Sequence, residues 1–114
     1  MLVRIYTGED GQSHFEDLGL PGENVLRVAT KSGEDLVFRR SAEDSFSDWH
    51  HPTRRQYLIV LEGRMEVICG DGSTRQFQPG DVLLAEDMTG QGHQTRAVDG
   101  SYRSVSMGIP DLAS

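Results

Sequence analysis

The chain lacks the features that mark several large protein classes. Cys69 is the only cysteine in 114 residues, so no internal disulfide framework can form, and a reducing compartment suits the chain. No apolar run approaches the roughly 20 residues of a membrane span. The opening Met1-Leu2-Val3-Arg4-Ile5 lacks the charged start and apolar centre of a signal peptide, and the expected location is therefore cytoplasmic. Basic residues are scarce: 11 Lys and Arg stand against 18 Asp and Glu, for a formal charge of -7. Neither nucleic acid nor a membrane is expected as a partner, because both need a basic face to displace counterions. Also missing is any helical apolar period long enough for a helix of ordinary length.

Short apolar runs separated by turn residues remain, which is the pattern of an all-β chain. Candidate strands are Met1 to Tyr6, Val25 to Thr30, Leu36 to Arg40, Gln56 to Leu61, Met65 to Cys69, Thr74 to Gln78, Val82 to Ala85, His93 to Val98 and Tyr102 to Met107. Such a series fits a double-sheet jelly-roll barrel. Thr7 to Pro21 and Ser41 to Thr53 read as loops. Gly70-Asp71-Gly72-Ser73 tolerates positive φ, and Pro79-Gly80 pre-sets a type II turn, so the strands on either side of each are expected to pair as hairpins. The length is that of one domain, near the size at which a single core suffices.

Within Gln56 to Leu61, strand alternation puts Gln56, Leu58 and Val60 on one face and Tyr57, Ile59 and Leu61 on the other. Both faces are largely apolar, so both should be covered. The barrel interior covers one. The other is expected to meet a second copy of the chain, making a homodimer, or the chain's own N-terminal strands.

Three segments carry a family resemblance: Asp48-Trp49-His50 leading to Arg54-Arg55-Gln56-Tyr57 and Gly63, Pro79-Gly80-Asp81-Val82, and Ala85-Glu86-Asp87-Met88 leading to Gly92-His93. Together with Tyr6 to Asp17 they resemble a group of small single-domain cupins, across nearly the whole chain. The resemblance implies a barrel core over about residues 48–107 with an N-terminal arm over 1–30. It also implies a site built from two His and one Glu of the first motif and one His of the second, which in that family hold a metal.

This chain departs from the family pattern. Counting back from Gly63 puts Gln56 in place of the Glu, Pro52 in place of the second His and His50 on the first; a register one residue longer would use His51 and Trp49 instead. His50 and His51 cannot both point inward from one strand without a bulge or loop, and His50 is taken as the inward residue. The segment between Gly80 and His93 is longer than usual, and the Asn that usually follows is replaced by Ala97.

Candidate catalytic residues are His50, His93 and Glu86, with Asp87 either a substitute carboxylate or a turn-holding residue. Candidate ligand-binding residues are Arg54, Gln56, Tyr57 and Trp49. Arg54 lies on the same face as Gln56, whereas Arg55 should point away; a guanidinium there would grip a small anion, or else pair with Asp48 or Glu86 at the barrel rim. The aromatics Tyr57 and Trp49 would stack on a ligand or cover apolar surface. His14, in an acidic loop, reads as an exposed or capping residue.

His50, Gln56 and His93 are the candidate metal ligands, for a divalent transition metal (zinc, iron, nickel, manganese or copper) held weakly or not at all, since an amide oxygen is a poor substitute for carboxylate. Three functions follow: a small-molecule enzyme or binding protein acting on an anionic ligand directly, a metal-dependent enzyme of the dioxygenase, isomerase or lyase type, or a non-catalytic dimeric interaction module.

Overall fold

The computed structural model describes residues 1–19 and 27–111. These hold ten strands: β1 (Leu2–Thr7), β2 (Ser13–Asp17), β3 (Leu36–Ser41), β4 (Phe46–His50), β5 (Gln56–Glu62), β6 (Met65–Ile68), β7 (Thr74–Phe77), β8 (Val82–Glu86), β9 (His93–Ala97) and β10 (Tyr102–Gly108). Among the described residues there is no helix long and apolar enough to cross a membrane. The strands form a six-stranded sheet in the order β2-β1-β8-β5-β10-β3 and a four-stranded sheet in the order β4-β9-β6-β7. Two facing sheets of this kind make a jelly roll.

β2 and β4 fall where loops were expected, and both are edge strands. An edge strand is paired on one side only and stays wet, so Ser13-His14-Phe15-Glu16-Asp17 and Phe46-Ser47-Asp48-Trp49-His50 never show the apolar signal of a covered strand. Of the candidate strand Val25 to Thr30, the first two residues lie outside the described residues and 27–30 are not in a strand. The N-terminal arm is integral to the barrel: β1 runs parallel to β8, and Val3 and Ile5 are fully buried in the core.

β6 and β7 pair as the expected hairpin, with Gly72 at φ 87° in the turn. At Pro79-Gly80 the turn type holds and the hairpin does not. Asp81 N donates to Gln78 O (2.9 Å) and Gly80 has φ 93°, as a type II turn requires. Yet β7 and β8 belong to different sheets, so this turn carries the chain across the sandwich.

The two faces of β5 separate as alternation demands. Leu58 and Val60 face the interior, while Tyr57, Ile59 and Leu61 share the outer face with Leu84, Val105 and Met107, their cross-strand neighbours. The N-terminal strands extend this sheet at its edge and do not stack on its outer face. Leu36 and Phe38 of β3 continue the outer apolar surface and are 54% and 69% exposed.

Candidate functional site

Between the sheets lies a cavity of about 460 Å³, within the size range of small-molecule sites. His50 and His93 meet there as a cross-strand pair of β4 and β9, directly after a register shift in β4 between Ser47 and His50. Their ring centroids are 4.6 Å apart, edge to face.

The turn before His93 is forced close to His50: a Cβ on Gly92, which has φ 76°, would sit 2.1 Å from the His50 carbonyl oxygen. Only glycine fits there. His51 is exposed and also lines the cavity, because β4 ends at His50 and the loop beyond is free of strand alternation. Its Nε2 lies 2.7 Å from the Gly90 carbonyl oxygen.

Hydrogen bonds set the exposed edge of each central imidazole. His50 Nδ1 lies 2.7 Å from the Asp48 carbonyl oxygen, which can only accept, so Nδ1 carries a proton and, in the neutral ring, Nε2 the lone pair. His93 Nδ1 lies 2.5 Å from Asp87 Oδ2, and the same carboxylate oxygen accepts from Ser13 Oγ at 2.6 Å. Asp87 and Ser13 are fully buried and His93 is 4% exposed. Asp87 therefore does not merely hold a turn; it fixes the ring orientation and tautomer of His93.

Strand parity contained the signal for Asp87. Ala85 lines the cavity, so Glu86 must point outward and Asp87 back in. Glu86, a candidate acid or base, is placed accordingly on the outer side, where it accepts from Arg4 Nε (2.7 Å) and from Arg55 Nε and does not line the cavity.

Arg54 and Arg55 do point to opposite sides, but neither is free. Arg54 lines the cavity with Nη1 3.0 Å from Glu34 Oε2, Nε 3.3 Å from Gln56 Oε1 and Nη2 3.4 Å from the Ser106 carbonyl oxygen. Its acidic partner is Glu34, not Asp48 or Glu86. Arg55 is not in open solvent: besides Glu86 it donates to the Pro110 carbonyl oxygen at 2.8 Å. Asp48 is used elsewhere, its carboxyl held below the usual range by hydrogen bonds from the Gln94 amide and the Trp49 N–H.

Tyr57 and Trp49 do not line the cavity; Tyr57 lies on the outer sheet face and Trp49 is 38% exposed beyond the site. His14 sits on β2, against both carboxylate oxygens of Asp10 at 3.0 Å.

No protein-family model matches the sequence, and neither does any curated protein. Solved structures do. A cupin superfamily protein from Desulfitobacterium hafniense superposes with a TM-score of 0.54 at 15% identity, over 82% of this chain and 85% of that one. The fold is that of the cupins. A protein from Neisseria meningitidis gives a TM-score of 0.50 at 13% identity, covering 76% of this chain and 90% of its own. An RmlC-like cupin protein from Desulfovibrio desulfuricans gives 0.42 at 18% identity, covering 78% and 97%.

Against the four-ligand metal set of cupins, the residues present are two donors short. Among the described residues no three His, Cys, Asp or Glu side chains converge on a point. Gln56, the candidate third ligand, has its oxygen turned to Arg54, and Pro52 offers no donor.

Proposed function

We propose that this chain binds a small organic anion in the barrel cavity and presents His93 to it as a proton acceptor or donor, without relying on a metal. The observation that carries this reading is the buried Asp87–His93 contact at 2.5 Å. A carboxylate that accepts the Nδ1 proton orients the ring and leaves Nε2 for the cavity, which is how an acid/base imidazole is held ready. His50 supplies a second imidazole 4.6 Å away between ring centroids. Arg54, Gln56 and His51 also line the cavity.

The test is NMR titration of the protein with a panel of small carboxylates, followed through the imidazole ring signals. Both His50 and His93 should shift together at a saturable concentration, and Asp87→Asn should change the tautomer reported by the His93 ring nitrogens. If no carboxylate moves either ring, the reading is wrong.

A second reading rests on the same hydrogen bonds, because an imidazole that ligates a metal also donates its other N–H to a carboxylate or carbonyl. With only two such rings, nickel or zinc should bind weakly, and Gln56→Glu should strengthen binding about 10-fold or more by restoring a carboxylate. Stoichiometric, chelator-resistant metal in the unaltered protein would reverse the order of the two readings.

For the homodimer, the outer face of β3, β10 and β5 is the proposed contact, since Leu36, Phe38 and Leu61 leave it apolar and exposed. Sedimentation should show a dimer that Phe38→Glu dissociates.

A further inference from the structure

Three strand positions that face the interior of the cavity are unusual for a core. Tyr102, Ser104 and Ser106 of β10 are 8%, 4% and 8% exposed and line the cavity, and their hydroxyls are not among the buried polar atoms left without a partner. A row of hydroxyls on the wall of a cavity is available to pair with a polar occupant. Ser41 on β3 and Thr95 and Ser47 on the opposite sheet add further hydroxyls to the same lining.

The register brings a charge to this wall. Arg39 of β3 lies directly across from Ser104, as Ser41 does from Tyr102 and Val37 from Ser106. Two guanidiniums line the cavity, and Arg54 is matched by Glu34. Arg39 has no carboxylate partner among the described residues. Asp35, also in the lining, can accept hydroxyl protons.

We propose that the cavity recognises a small polyhydroxylated carboxylate, with the carboxylate on Arg39 and the hydroxyls along Ser104, Ser106 and Tyr102 of β10. This rests on the anion-binding reading above and narrows it: a simple aliphatic acid would satisfy Arg39 and make no hydrogen bond to the hydroxyl row. The carbon chain of the ligand would then lie between β10 and the His50–His93 pair, with Arg39 as the residue that selects for charge.

Calorimetric titration with gluconate, hexanoate and sorbitol tests this. The three share a chain of the same length and differ in hydroxyls and charge. Gluconate should bind more tightly than either of the others by about 10-fold or more. The double substitution Ser104→Ala, Ser106→Ala should weaken gluconate by about 10-fold and leave hexanoate unchanged. Arg39→Gln should weaken gluconate and leave sorbitol unchanged. Thermal melting confirms that each variant is folded.

Equal binding of gluconate and hexanoate, or of gluconate and sorbitol, overturns this assignment while anion or small-molecule binding in the cavity stands. If neither acid binds at all, both the assignment and the function proposed above fall.

Discussion

The space between the two sheets is filled in two different ways. Toward β6 and β7, the inward positions carry Val67, Phe77 and Cys69, all at most 1% exposed, and with Val3, Ile5 and Val60 they close into a packed core, which Met65 borders on the cavity side. Toward β3 and β10 the inward positions carry Val37, Arg39, Ser41, Tyr102, Ser104 and Ser106, and there the cavity remains. Both halves obey the same alternation. What differs is the size and polarity of the side chain at every second residue, so one fold supplies both a stabilising half and a binding half.

The largest expected effect lies in the packed half. Phe77→Ala should cost about 3 to 5 kcal/mol of unfolding free energy in urea denaturation, through lost transfer energy and the void left behind. Ser104→Ala should stay within about 0.5 kcal/mol, because a hydroxyl facing a cavity contributes little packing. Similar costs at the two positions would erase the distinction between the halves.

The next effect sharpens the boundary on the outer face. Arg55→Ala removes one of two guanidiniums from Glu86, whose side chain is only 5% exposed, and should cost about 1.5 to 3 kcal/mol of stability without changing ligand affinity. Arg54→Ala should do the reverse: a smaller stability loss, and a changed affinity for carboxylates because Glu34 is released. Calorimetry and melting of the two variants make the matched comparison.

Asp87→Asn tests the junction of the halves. An amide can no longer accept as strongly from both Ser13 and His93, and a loss of about 1 to 3 kcal/mol is expected, together with a His93 ring-nitrogen signal that reports mixed tautomers. An unchanged signal would mean that another group orients His93.

The smallest effect is at Cys69. Burial pushes its thiol up to about 11, against a lowering hydrogen bond with Ser73. Near neutral pH the native protein should therefore alkylate far more slowly than the unfolded chain. Rapid labelling of the native state would show that the packed half opens readily.

Much of this was legible beforehand because it depends on neighbours along the chain. Alternation through Gln56 to Leu61 assigned both faces of β5, and Gly70 to Ser73 gave a hairpin. Parity from Val82 onward also separates Glu86 from Asp87, but the longer segment before His93 hides how far the strand's alternation extends. β2 and β4 were hidden because edge strands keep polar residues. The partner of Arg54 was hidden for another reason: Glu34 is 20 residues away, and nothing local to either residue encodes their meeting.

By itself the sequence determined an all-β jelly roll, the inward faces of its covered strands, and the placing of imidazoles at positions 50 and 93, since each follows from side-chain period, turn residues and a linear motif. Only the tertiary structure decided which groups those imidazoles and arginines meet. The Asp87 contact to His93, the Glu34 contact to Arg54, and the alignment of Arg39 with Ser104 join strands and loops from separate parts of the chain. Such contacts depend on cross-strand register and on sheet order, and neither is written in any local stretch of sequence.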